Sequence, residues 1–117
     1  MRLGPGSPAN PVGVIAVDPR EPSRRAAREV VSATAGFAWL ADAASAEEAL
    51  ETAMQLRPEL VLVEADMPGI DGPETVRLLE RALPETVAVL VSADGAPDFD
   101  ALTPSGLRSL WDAHGPD

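Results

Sequence analysis

Three carboxylates and a hydroxyl stand where short apolar runs of this chain give way to polar residues. Asp18 follows residues 12–17 (VGVIAV), Glu64 and Asp66 follow residues 60–63 (LVLV), and Ser92 ends the run at 86–92 (TVAVLVS). Carboxylate oxygens are the ligands that hard divalent cations prefer. In an open parallel sheet, ligands and chemistry collect in the crevice beyond the carboxyl ends of the strands. Asp18, Glu64 and Asp66 are therefore the candidate acidic pocket, and Asp18, Glu64 and Asp66, with Glu21 nearby in sequence, are the candidate metal ligands. Acids also mark solvent at strand ends, and for Asp66 that plain role is the stronger reading.

The composition narrows the partners. Nineteen Asp and Glu against nine basic residues give a formal charge of −10, which repels polyanions, so no direct nucleic-acid partner is expected. All nine basic residues are arginine and the chain contains no lysine. Cysteine is absent, which excludes disulfides and thiolate metal sites. No apolar run is long enough to span a bilayer, so the expectation is a cytoplasmic protein with no membrane partner. A chain of 117 residues suits one domain that buries roughly two thirds of its unfolded surface.

The elements that must position these side chains alternate in type. Residues 1–11, rich in Gly and Pro, are expected to form a flexible tail, residues 12–114 one domain, and residues 115–117 a short tail. The four-residue apolar run at 60–63 reads as a strand covered on both faces, and residues 12–17, 37–43 and 86–92 read as further strands. A helix starts at Pro22 and carries Ala27, Val30, Val31 and Thr34 inward, with Arg24, Arg25 and Arg28 toward solvent and Gly36 as its stop. Ser45 and Glu48 form a capping box for a second helix, whose apolar stripe is Ala46, Ala49, Leu50, Ala53 and Met54 and which Pro58 ends. Pro73 opens a third helix, with Val76, Leu79 and Leu83 inward. Strands alternating with helices of this length predict right-handed βαβ units, an α/β doubly wound parallel sheet.

The stretch LVLVEADMPGIDG at residues 60–72 resembles the signature of bacterial response-regulator receiver domains: a strand, an acid, Met67-Pro68-Gly69, an apolar residue, Asp71-Gly72 and a helix. The spacing to Ala49-Leu50, Pro58-Glu59-Leu60 and Ser92-Ala93 extends the likeness over residues 12 to about 93. The resemblance implies a flavodoxin-like fold with strand order 2-1-3-4-5. It also implies a site of four parts. An acid pair after the first strand holds Mg²⁺ together with a nucleophilic aspartate; here the pair is Asp18 and Pro19, and Glu64 stands in the aspartate's place. A hydroxyl follows the phosphoryl group, matched by Ser92, and the expected lysine exists nowhere in the chain. A glutamate places its carboxylate farther out by about one bond of 1.5 Å, and an in-line transfer that depends on positioning is sensitive to such a shift.

The end of the fold leaves two alignments. In one, a helix at 104–114 corresponds to the family's last helix, with Thr103 as N-cap, Leu107, Leu110, Trp111 and His114 on one face, the fourth helix missing or shortened, and a remnant strand near 99–102. In the other, residues 107–111 form the fifth strand. His114 is expected to be a partly buried packing residue, and Trp39 and Trp111 core or interface. The favoured function is an atypical receiver, or pseudo-receiver, in two-component phosphorelay signalling. It would not be an enzyme, would need no cofactor, and would act through contact with a signalling protein, its own output domain or a second copy. The alternatives are a Mg²⁺-dependent phosphoacceptor using Glu64 or Asp66, and a small-ligand domain built on the strand-end crevice.

Overall fold

The computed structural model describes residues 4, 7, 10–92 and 97–116. Most of the expected N-terminal tail, and residues 93–96 and 117, lie outside the described residues. The named elements run β1 (Val12–Val17), α1 (Glu21–Ser32), β2 (Phe37–Ala43), α2 (Ala46–Leu56), β3 (Leu60–Glu64), α3 (Gly72–Ala82), β4 (Val87–Val91) and α4 (Pro104–His114). The strands pair in parallel in the order β2-β1-β3-β4. β1 and β3 lie in the middle and are buried along their whole length. Their unbroken apolar sequences require this, because each face of the sheet meets a helical layer.

Two apolar clusters fill the two faces. On one side Val12, Val14, Leu60 and Leu62 pack with Ala27 and Val31 of α1 and with Leu107 and Trp111 of α4. On the other, Ile15, Val17, Val61 and Val63 pack with Ala49 and Ala53 of α2 and with Leu79 of α3. Alternate residues of each central strand thus serve opposite layers. The helices start as their sequences dictate: Ser45 accepts from the Glu48 N–H at 3.2 Å, Asp71 from the Glu74 N–H at 2.9 Å, and Thr103 from the Gly106 N–H at 3.1 Å.

Several expectations are corrected, and the choice between the two alignments of the end of the fold is settled. There is no fifth strand among the described residues, so the order is 2-1-3-4 and not 2-1-3-4-5. Phe99 to Leu102 form a turn instead of a remnant strand, with Phe99 and Leu102 three residues apart and both buried in the α1/α4 cluster. Residues 107–111 are helical, which removes the competing alignment, and α4 lies on the same face as α1. His114 is exposed in the last turn of α4 and does not pack. Met54 is 48% exposed, whereas Ala46, Ala49 and Ala53 are the buried residues of α2 and Leu50 packs beside them against the core. Arg24 does not simply face solvent: its side chain is only 17% exposed and is bonded at the top of the sheet.

Candidate functional site: a strand-tip acid pocket filled by an arginine

The tips of β1, β3 and β4 converge. Asp18, the residue after β1, is fully buried, and Glu64, the last residue of β3, is 4% exposed. Ser92 follows β4 in a left-handed backbone conformation with φ of 68°. Its hydroxyl donates to Glu64 Oε2 at 3.1 Å, while Glu64 Oε1 accepts the Asp66 N–H at 3.2 Å. A non-glycine residue with positive φ at a strand tip stores local strain, and such strain is concentrated where a side chain must be aimed.

The residue that sequence reading missed is Arg20. Its backbone N–H donates to Asp18 Oδ1 at 2.8 Å, its Nε to the same oxygen at 3.3 Å, and its Nη2 to Asp18 Oδ2 at 3.2 Å. The same Nη2 lies 3.6 Å from Glu64 Oε2. One guanidinium therefore joins the two buried carboxylates. The hydrogen bond with Asp18 raises the Arg20 pKa above the ordinary arginine value, and the charges of Asp18, Glu64 and Asp100 add to it against a smaller opposing effect of burial. The cation is permanent. The available signal was an arginine two residues beyond a strand-tip acid, in a chain with no lysine to supply a cation from elsewhere.

Asp18 is held from a second direction. Arg24 Nη1 donates to the Asp18 backbone C=O at 2.8 Å, and Arg24 Nε to Asp42 Oδ2 at 2.9 Å, which ties the tip of β1 to β2. Asp66 is exposed, and only its backbone N–H enters the site. Glu21 is exposed and paired with Arg25, so it does not join Asp18 and Glu64. Of the four candidate metal ligands, only Asp18 and Glu64 come together. Among the described residues no group of three acidic or histidine side chains is arranged to hold a metal. Mg²⁺ demands near-octahedral oxygen coordination, whereas Asp18 and Glu64 already face a guanidinium and Pro19 brings no side-chain oxygen. This donor set does not fit the ion.

A parallel α/β sheet with acids and a hydroxyl at the tips of neighbouring strands defines the class: an open doubly wound α/β domain that keeps its site beyond the strand ends. The model of the response regulator receiver domain matches residues 14–104, and the chain belongs to that family. A protein-glutamate methylesterase/protein-glutamine glutaminase of Myxococcus xanthus is 31% identical over 111 residues, covering 92% of this chain and 31% of that protein. The response regulator GacA of Pseudomonas viridiflava is 33% identical over 81 residues, 69% of this chain and 38% of its own length. The chain therefore spans about a third of these relatives. The signal receiver domain of NarL from Mycobacterium tuberculosis superposes with a TM-score of 0.74 at 19% identity, covering 88% of this chain and 95% of that one, a likeness of fold. Among the described residues no helix is long and apolar enough to cross a membrane.

Proposed function

We propose that this chain is an atypical receiver that signals through protein contact, with its pocket held in one state by an internal cation instead of being switched by phosphorylation. The observation that carries the reading is the Arg20 guanidinium between Asp18 and Glu64, in the place where the family's chemistry calls for a divalent ion. A tethered cation has an effective concentration that a free ion must outcompete, and its geometry is fixed by a two-residue loop. Glu64 is engaged on both oxygens, by the Asp66 N–H and the Ser92 hydroxyl, so its carboxylate is positioned as an acceptor of hydrogen bonds and not as an attacking group. The permanent charge of Glu64 is answered by Arg20, where the family would use a lysine this chain lacks.

In this reading the module performs no catalysis of its own, and its partner is another signalling protein or an output domain. The relatives support that, because the matched segment forms only part of each of them. The test is incubation with a small-molecule acyl phosphate and Mg²⁺, followed by intact mass. The unmodified mass is expected, together with no shift of Tm on adding Mg²⁺. A stoichiometric phosphate adduct that disappears in Glu64→Ala or Asp66→Ala would establish a working phosphoacceptor and overturn the reading.

A further inference from the structure

The two edges of the sheet are built differently. β2 carries the devices that discourage strand pairing. Leu40 is an extra residue in its register with β1, Asp42 puts a charge on the strand, and Arg24 lies across it. β4 has none of these: Val87–Val91 is regular, uncharged and free of proline. The register with β3 uses the odd-numbered residues of β4, as the Val87 N–H to Glu59 C=O bond and the Ala65 N–H to Val91 C=O bond demonstrate. Alternation turns the N–H and C=O of Ala88 and Leu90 outward. Among the described residues the loop covers only the upper end of this edge, where the Ser92 N–H meets the Pro97 C=O at 3.3 Å.

Beside the edge runs an apolar groove of about 290 Å³ between β4 and α4, lined by Leu90, Pro97, Leu102, Ser109, Leu110 and Ala113 among others. Among the described residues none that lines it is charged. Ser109 and Ala113 are small, which lets a neighbouring element approach α4 closely.

We propose that β4 is a pairing edge and that its occupant is a second copy of this chain, joined antiparallel about a two-fold axis through Val89. The edge is self-complementary. Its outward donors and acceptors sit one residue either side of Val89, so Ala88 pairs with Leu90 of the second copy and Leu90 with Ala88, four hydrogen bonds in all. An axis normal to the sheet keeps both α4 helices on one face, where their small-residue sides close each groove against the other. Charge favours this contact over others: two chains of net −10 repel, and an uncharged strand beside a groove with no charged lining among the described residues is where they can meet with least opposition of like charges. The result is one continuous sheet of eight strands. This inference goes beyond the signalling role and holds whether or not the pocket accepts phosphate.

Sedimentation of the 117-residue chain from micromolar to high micromolar concentration tests it. A dimer mass is expected. Ala88→Pro removes an outward N–H that the β3 ladder does not use and gives a monomer; Ser109→Arg, on the exposed side of α4, weakens the dimer at least about tenfold with unchanged circular dichroism. Val89→Cys, the only cysteine in its chain, oxidises to a covalent dimer, since residues in a non-hydrogen-bonded antiparallel pair lie within disulfide reach. A monomer at every concentration, a dimer indifferent to Ser109→Arg, or a Val89→Cys chain that stays monomeric under oxidant each overturns the proposal.

Discussion

Arg20 changes what the acidic pocket is. Two buried carboxylates facing each other would repel and lose hydration, and a half-exposed guanidinium beside them offsets both costs while keeping its own outer face in water. Arginine suits the task because its planar fork reaches both oxygens of Asp18 at once. Removing it leaves Asp18 with the Arg20 backbone N–H as its remaining side-chain partner. Arg20→Ala should cost about 1 kcal/mol after allowance for solvent screening, which lowers Tm by about 4 °C or more. Arg20→Lys, a point charge on a flexible stem, should recover only part of the loss. Thermal unfolding at neutral pH measures both, and an Arg20→Ala protein that melts with the wild type would mean the guanidinium contributes nothing to the folded state.

At the scale of elements, the pocket depends on how closely α3 can approach the tip of β3. Gly72, the first residue of α3, is buried, and its N–H donates to the Ala65 C=O at 3.1 Å. A Cβ at this position would lie 2.6 Å from Ala65 Cα and 2.8 Å from Ala65 O, both backbone atoms that cannot swing aside. Gly72→Ala should therefore cost about 1–3 kcal/mol and push the segment after Glu64 away from Ser92. Chemical denaturation gives the free energy, and the chemical shifts of the Asp66 and Ser92 amides report the displacement. Unchanged shifts with full stability would show that α3 can retreat as a unit. The Asp71-Gly72 pair thus has two separable duties, one residue capping the helix and the next clearing space for the strand tip.

For the whole molecule, the consequence of a four-stranded sheet is a core that must be closed by something other than a fifth strand. Phe99 does this. It is the largest fully buried side chain among the described residues, it belongs to a turn, and with Leu102 it joins the core cluster shared by the strands, α1 and α4. Phe99→Ala should cost about 3–5 kcal/mol, a large share of the stability of a domain this size. Equilibrium unfolding in urea, followed through Trp111 in the same cluster, would show it as a lower midpoint. A change below about 1 kcal/mol would mean that the α1/α4 layer repacks without this side chain.

The sequence by itself determined the alternation of strands and helices, the two central strands and the helix starts, because these follow from local patterns: unbroken apolar runs, a Ser or Thr at an N-cap, a proline at a first turn. It also placed Asp18, Glu64 and Ser92 at strand tips, since a strand's end is visible where the apolar run stops. Only the tertiary structure decided that Arg20 closes the pocket and that Arg24 ties β1 to β2. A side chain as long as arginine can reach many points, and which acid it meets depends on the neighbouring strand that another part of the chain supplies. The same reason hid the fate of residues 99–102. Their local pattern permits a strand or a turn, and the choice fell to the turn because Phe99 and Leu102 were both needed in one core.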